Sequence, residues 1–570
     1  MRKLDLCYNN ITDISLLETL NLEKLIILNL SYNPISDINA LERINFKELR
    51  ELYFVNNIIS DINVLERVKF ENLEILNFGN LIFIKEEFFN LGNEISNINV
   101  LEKTNFKHLK VLNFSLNNIE SINVLEKINF KELRELNLNK DHLSNFNSIK
   151  LKINVLEKVE FEKLEILNLR KNFITDISSL AKVNFPNLQE LDLGDNEISD
   201  INILKEMNFK DLRKLSLDNK HTITDISVLI RVNFENLETL DISNNNITDI
   251  KVLERVSFKK LKELNLSRNS ILNIEILENV DFKDLRVLGI CEIEKPDISY
   301  LEKFKFEKLE KLNLDSNFIE DISFLEKVNF KKLKELNLRG NYISDLKVFK
   351  NVKFKNLEKL NLRDNEISNI NIIENIKFKE LKELDLGVNK ISKIRILERL
   401  KFEKLEILKL NNNKISNINI IEDIQFIELK ELNLGYNKIS DIRVLERLKF
   451  EKLKKLELNH NKISNINILE NIKFTELKEL NLRENEISDI RVLEKLKFEK
   501  LEILNLDFNK ISDISVLEKV NLRNLKLLSL RENLFTEIDI LKNKFRKDII
   551  RWKKVENSEI NLLKYLNNIY

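Results

Sequence analysis

The side chains able to do chemistry are few and widely spaced. Four histidines (His108, His142, His221, His460) and two cysteines (Cys7, Cys291) are scattered over 570 residues. A nucleophilic mechanism needs a base within hydrogen-bond reach of its nucleophile, and no segment pairs Ser or Cys with His and Asp in a recognisable motif. The densest charge lies in LNLRENEISDI (480–490), where Arg483, Glu484, Glu486 and Asp489 flank Asn485. Carboxylates so close together raise the question of calcium. The glycine and alternating oxygen ligands of a calcium loop are absent, and related stretches carry Lys or Asn in the same places. Neither a phosphate-binding loop nor a Cys/His zinc spacing occurs. The reading is a chain with no catalytic residue, no metal and no cofactor.

Those four charges sit in one copy of a repeat. Phe378, Phe402, Phe426, Phe450, Phe474 and Phe498 are each 24 residues apart. With Phe402 as position 1, FEKLEILKLNNNKISNINIIEDIQ puts Leu405, Leu408, Leu410, Asn413 and Ile415 at positions 4, 7, 9, 12 and 14. Leucines at 7 and 9 alternate with polar residues, the period of a half-buried strand. Asparagine at 12 has both a donor and an acceptor for main-chain groups where the chain turns inward. The following ISDI or ISNI returns two apolar residues to the core, with Asp489 and its equivalents forming turns. VLEKLKF then makes a short helical or irregular segment.

This L-x-x-L-x-L-x-x-N-x-I spacing resembles the leucine-rich repeat family. The N-x-I-S-D-I-x-x-L half is similar to the repeats of bacterial internalins and of the nuclear regulatory subunit of protein phosphatase 1, both of which have shorter units. One unit cannot bury its apolar side alone, whereas stacked neighbours share a continuous core. The fold expected is an α/β repeat solenoid, an arc or horseshoe of about 22 units of about 24 residues. A parallel β-sheet should form the concave face and short helical or irregular segments the convex face. The resemblance implies a concave protein-binding surface and no cofactor.

The solenoid is expected over residues 1–544, with insertions near 79–92 and 147–153, and 545–570 as a helical cap or tail. Phe70 and Phe106 are 36 residues apart instead of 24, and seven extra residues follow Phe130, placed after position 17. In GICEIEKPDI (289–298) Ile293 replaces the ladder asparagine and Pro296 enters the turn, which weakens the ladder there. Residues 428–453 and 476–501 are nearly identical, a recent duplication that argues against a composite catalytic site. Met1 falls inside a unit with no cap before it.

Lys+Arg and Asp+Glu number 93 each, so no whole-molecule field draws the chain to nucleic acid or an anionic membrane. Cys7 and Cys291 share a repeat position eleven repeats apart, roughly 50 Å at the spacing of stacked strands, too far to pair. No apolar run is long enough to span a bilayer, and MRKLDLCYNNITD lacks a signal-peptide core. A cytoplasmic or nuclear location is expected.

Function should come from positions the core leaves outside. Tyr8 and Tyr32 (position 11) and Tyr53 (position 8) fall on consecutive units and should cluster, as a binding surface or as cover for an end. A second candidate is the position-11 column Val388, Tyr436, His460 and Phe508, beside Lys390, Lys414, Lys438, Lys462 and Lys510 at position 13. That stripe suits an acidic partner, or is simply a solvated face. The leading expectation is a non-catalytic scaffold that binds a protein on its concave face, with regulation of an enzyme such as a phosphatase as one form. An internalin-like surface or secreted adhesion or effector protein, and a substrate-recognition subunit of an enzyme complex, are the alternatives.

Overall fold

A computed structural model describes residues 1–81, 92–140, 150–293, 296–419, 424, 426–521, 523–536 and 550–551. Two compact units are present, Met1–Pro296 and Asp297–Tyr570. The boundary falls at the proline where the ladder loses its asparagine.

Each unit is a stack of parallel three-residue strands. In the first, twelve strands run from Lys3–Asp5 to Val287–Gly289 among the described residues. Consecutive strands pair in register, as Ile27–Asn29 does with Glu51–Tyr53 (Leu28 opposite Leu52). The second begins with Lys311–Asn313, and its strands also pair one repeat apart, Leu408 lying opposite Leu432. The strand occupies positions 6 to 8. Its central leucine points inward, and Leu408 and Leu432 are almost fully buried. Each such side chain contributes about 2 kcal/mol of apolar burial, realised only when the next unit covers it. In the first unit Phe54, Phe78 and Phe114 replace the position-9 leucine on three successive repeats and stack at 5.2 and 5.8 Å between centroids.

The expected role of position 12 is observed. The Asn413 Nδ2 donates to the carbonyls of Leu386 (2.9 Å) and Leu410 (3.1 Å), and its Oδ1 accepts from the Ile391 N–H (2.9 Å). Asn437, Asn461, Asn485 and Asn509 repeat this pattern. Each asparagine therefore ties its own turn to the preceding repeat. Ile293 cannot make these bonds.

The return path is a 3₁₀ turn such as Arg443–Glu446, with Val444 and Leu445 buried. Four residues between two anchored apolar groups leave no length for an α-helix. The turn is entered through a carboxylate: Asp489 Oδ1 accepts from the Arg491 N–H at 2.9 Å, the turn-forming role expected of it.

The first insertion enters between positions 11 and 12. Asn80 and Asn93 clamp its ends through reciprocal amide bonds of 2.9 and 2.7 Å, and Asn93 takes the ladder place by donating to the Phe54 and Phe78 carbonyls. Residues 82–91 lie outside the described set. At the second insertion Ile153 precedes the turn Asn154–Lys158 as Ile442 precedes its own turn. The extra residues therefore come before that place, whereas the sequence put them after it. Of the expected cap, Ile550–Arg551 forms a short strand beside Leu527–Ser529, and the remainder of 545–570 lies outside the described residues.

Candidate protein-binding face

The strand face presents positions 6 and 8, followed by the loop positions 10, 11 and 13. Position 11 has a backbone property that its residue types conceal. Tyr8, Tyr32, Val388, Tyr436, His460, Glu484 and Phe508 all have φ between 51° and 61°. Left-handed backbone favours glycine, and costs other L-residues about 1–2 kcal/mol except where Asn or Asp offsets it. Gly340, Asp195, Asn244 and Asn412 sit at the same position with the same conformation. Carrying Val, Tyr, His and Phe there runs against the backbone's preference.

In the first unit Tyr8 and Tyr32 stack face to face, centroids 4.2 Å apart and planes 3° from parallel. Tyr53 instead donates its hydroxyl to Glu51 at 2.8 Å along its own strand. Two of the three tyrosines therefore form the pair and the third is held by a carboxylate. Burial holds the Tyr32 and Tyr53 phenols above their ordinary value, aided by Tyr8 in one case and by Glu51 in the other.

In the second unit three of the four column residues are linked. Tyr436 and His460 stack with centroids 3.7 Å apart. His460 Nδ1 lies 2.6 Å from Glu484 Oε2, Arg483 is 3.1 Å from Glu484, and the Arg483 guanidinium lies over Phe508 at 4.7 Å. Tyr436 and Phe508 remain 49% and 41% exposed at the two ends. Val388 is half-buried and separated from Tyr436 by Asn412, so it stands apart from this chain of contacts. Burial lowers the His460 pKa; Glu484 opposes that shift and Arg483 reinforces it. Nδ1 is the ring nitrogen that faces the Glu484 carboxylate. Of the charges around Asn485, Arg483 and Glu484 are already engaged by neighbours, and Glu486 is paired with Lys510 at 3.1 Å.

A further cluster was missed in the sequence. Arg170, at position 10, donates to Asp218 Oδ1 (2.8 Å) and to Asp195 Oδ2 (2.7 Å), and its Nη2 also meets Asp218 Oδ2. The carboxylate it reaches is two repeats away. The span is open because position 10 of the repeat between is Gly194, where a Cβ would stand 2.2 Å from both Arg170 Nη1 and Asp218 Oδ1. Burial pushes the Asp218 carboxyl up to about 6 despite the pull of Arg170. The signal available in the sequence was an arginine, a glycine and an aspartate at one repeat position on three successive units.

Among the described residues no group of three or more His, Cys, Asp or Glu side chains could hold a metal ion, and no helix is long and apolar enough to cross a membrane. Among the described residues neither Cys7 nor Cys291 forms a disulfide.

The leucine-rich repeat model (two copies) matches residues 1–43, 162–206, 186–231, 235–279, 307–351 and 475–519, and a single-repeat model matches 429–442. No curated protein sequence gives a match. Among solved structures, an internalin (InlF) of Listeria monocytogenes is 28% identical, with 57% of this chain and 89% of that one covered and a TM-score of 0.47. A leucine-rich repeat protein of Leptospira interrogans is 24% identical over 71% of this chain and 92% of its own, with a TM-score of 0.48. TLR13, solved in complex with ssRNA13, is 22% identical over 97% of this chain and 82% of its own, with a TM-score of 0.54, a likeness of fold alone. With the ladder asparagines bonded as their spacing requires and the leucine-rich repeat model matched to segments of each unit, the chain is built of leucine-rich repeats.

Proposed function

We propose that this chain is a non-catalytic scaffold that holds a protein partner on its strand face, with Tyr436, His460 and Phe508 at the centre of contact in the second unit. The observation that carries the reading is the position-11 column. Exposed aromatic rings are held there by backbone that prefers glycine, and they are aligned by stacking, by Glu484 and by Arg483. Pre-aligned aromatics and arginine are the side chains that dominate protein interfaces, because little rotamer freedom is lost on binding. Tyr8 and Tyr32 offer a second stacked surface in the first unit. Regulation of a bound enzyme, a phosphatase among them, is one form such a scaffold takes.

The test compares partner recovery by the intact protein, a Tyr436→Ala/Phe508→Ala variant and a Tyr8→Ala/Tyr32→Ala/Tyr53→Ala variant, each confirmed folded by circular dichroism. The expected outcome is a stoichiometric protein lost with the first variant and retained with the second. Retention by both variants, or recovery of nothing by the intact chain, sinks the assignment of the face.

A further inference from the structure

Position 13 of the second unit carries a charge pattern that the fold does not neutralise. Elsewhere on this unit lysines meet carboxylates one repeat away, as in Lys404–Glu380 (2.6 Å), Lys452–Glu428 (2.5 Å) and Lys500–Glu476 (2.5 Å). In column 13 the two ends follow that rule, Lys390 pairing with Glu366 and Lys510 with Glu486. Between them Lys414, Lys438 and Lys462 stand on successive repeats, exposed, with no ion-pair partner among the described residues. Their backbones are locked in register, each N–H donating at 2.8 Å to the isoleucine carbonyl of the preceding repeat (Ile391, Ile415, Ile439). Neighbouring repeats are about 4.8 Å apart, so like charges are held side by side, an arrangement that destabilises the free protein.

We infer that this stripe receives an acidic segment of a protein partner, laid across the repeats with its carboxylates on Lys414, Lys438 and Lys462 and its body against the Tyr436–His460 stack. The inference rests on the reading of the strand face as protein-binding and adds the chemistry of the partner. Charge complementarity favours a peptide over a polynucleotide. Glu431 and Glu457, at positions 6 and 8 of the Lys438 and Lys462 repeats, lie on the other side of the aromatic column. A peptide can turn its carboxylates to one edge and apolar or basic groups to the other, whereas a polynucleotide carries a charge at every unit and meets that acidic edge.

The experiment measures binding of fluorescein-labelled poly-L-glutamate, and of an oligothymidylate of equal charge, to the full chain by fluorescence anisotropy at low and physiological salt. Lys414→Glu/Lys438→Glu/Lys462→Glu should weaken polyglutamate binding at least about tenfold, and raised salt should weaken that of the intact chain. Lys377→Glu/Lys401→Glu/Lys449→Glu, which makes the same change in net charge at exposed lysines elsewhere in the repeat, should leave it within about twofold. Equal weakening by both triple variants, no polyglutamate binding by the intact chain, or tighter binding of the oligothymidylate overturns the inference. Lys438→Glu alone, which sets a carboxylate between two ammonium groups, should raise the thermal midpoint; a fall removes the repulsion on which the inference stands. A partner lost with Tyr436→Ala/Phe508→Ala but indifferent to the lysine triple leaves the scaffold reading in place and removes this one alone.

Discussion

Arg170 in the first unit and Arg483 in the second occupy position 10 of their repeats, yet they do opposite things. Arg170 reaches across Gly194 and closes on Asp218 and Asp195, so the charges of that stretch satisfy one another. Arg483 faces Asp507 on the next repeat, but the Asp507 carboxylate is fully buried and already accepts from the Ser529 hydroxyl and from the Arg531 N–H and guanidinium. It turns outward instead, over Phe508 and beside Glu484. One residue on the adjacent repeat, glycine or an occupied aspartate, thus decides whether the arginine closes the surface or helps to present an aromatic column.

The largest effect should come from Arg170→Ala, which leaves the buried Asp218 without its counter-charge. Breaking such a pair costs about 3 kcal/mol, read as faster amide exchange at Leu191 and Leu215 in the flanking strands. The loss should depend on pH. Burial already raises the folded Asp218 pKa to about 6, so the folded form binds the proton more tightly than the unfolded one. The carboxylate therefore costs stability as pH rises from about 4 through about 6. Without Arg170 the titration should move higher still, to about 8 for a loss of about 3 kcal/mol, making the deficit small near pH 4 and complete only above about pH 8; a deficit constant across this range contradicts the account. Gly194→Ala, which places a methyl in the path of the guanidinium, should reproduce much of the loss.

Arg483→Ala is the matching test in the second unit and should cost no more than about 1 kcal/mol, because its partners Glu484 and Phe508 are partly open to solvent and screened. A cost equal to that of Arg170→Ala erases the contrast between the two regions. The smallest effect concerns the backbone beneath them. The first unit has Asp195 and Asn244 at left-handed position 11 on the repeats around the Arg170 cluster, whereas the second unit places Val388 there. Val388→Asn should raise stability by roughly 0.5 kcal/mol, measured by chemical denaturation, and a loss shows that packing of the half-buried valine outweighs the strain.

The geometry of the candidate face was legible only in part. Exposed aromatics at one repeat position identified Tyr8, Tyr32, Tyr436, His460 and Phe508, since residues 24 apart must become neighbours once the period is known. The left-handed conformation of that position was hidden, because asparagine and glycine, its usual signs, appear on only some repeats. Tyr53 was grouped with Tyr32 by proximity along the stack, but position 8 lies within the strand and directs the ring to Glu51. The partners of Arg483 and Glu484, Phe508 and His460, lie on adjacent repeats, so their engagement shows only once the repeats are stacked.

What the chain alone determined was the repeat and its cement. The leucines at 7 and 9 and the asparagine at 12 each act through their own position against main-chain groups that every repeat supplies, so their roles follow from spacing. Tertiary structure decided which polar groups close on one another and which stay open. That outcome depends on side chains 24 and 48 residues apart meeting across a gap, and on whether the intervening repeat carries glycine, a carboxylate or another lysine. Stacking brings those groups within reach, and the free energy of each contact exists only there.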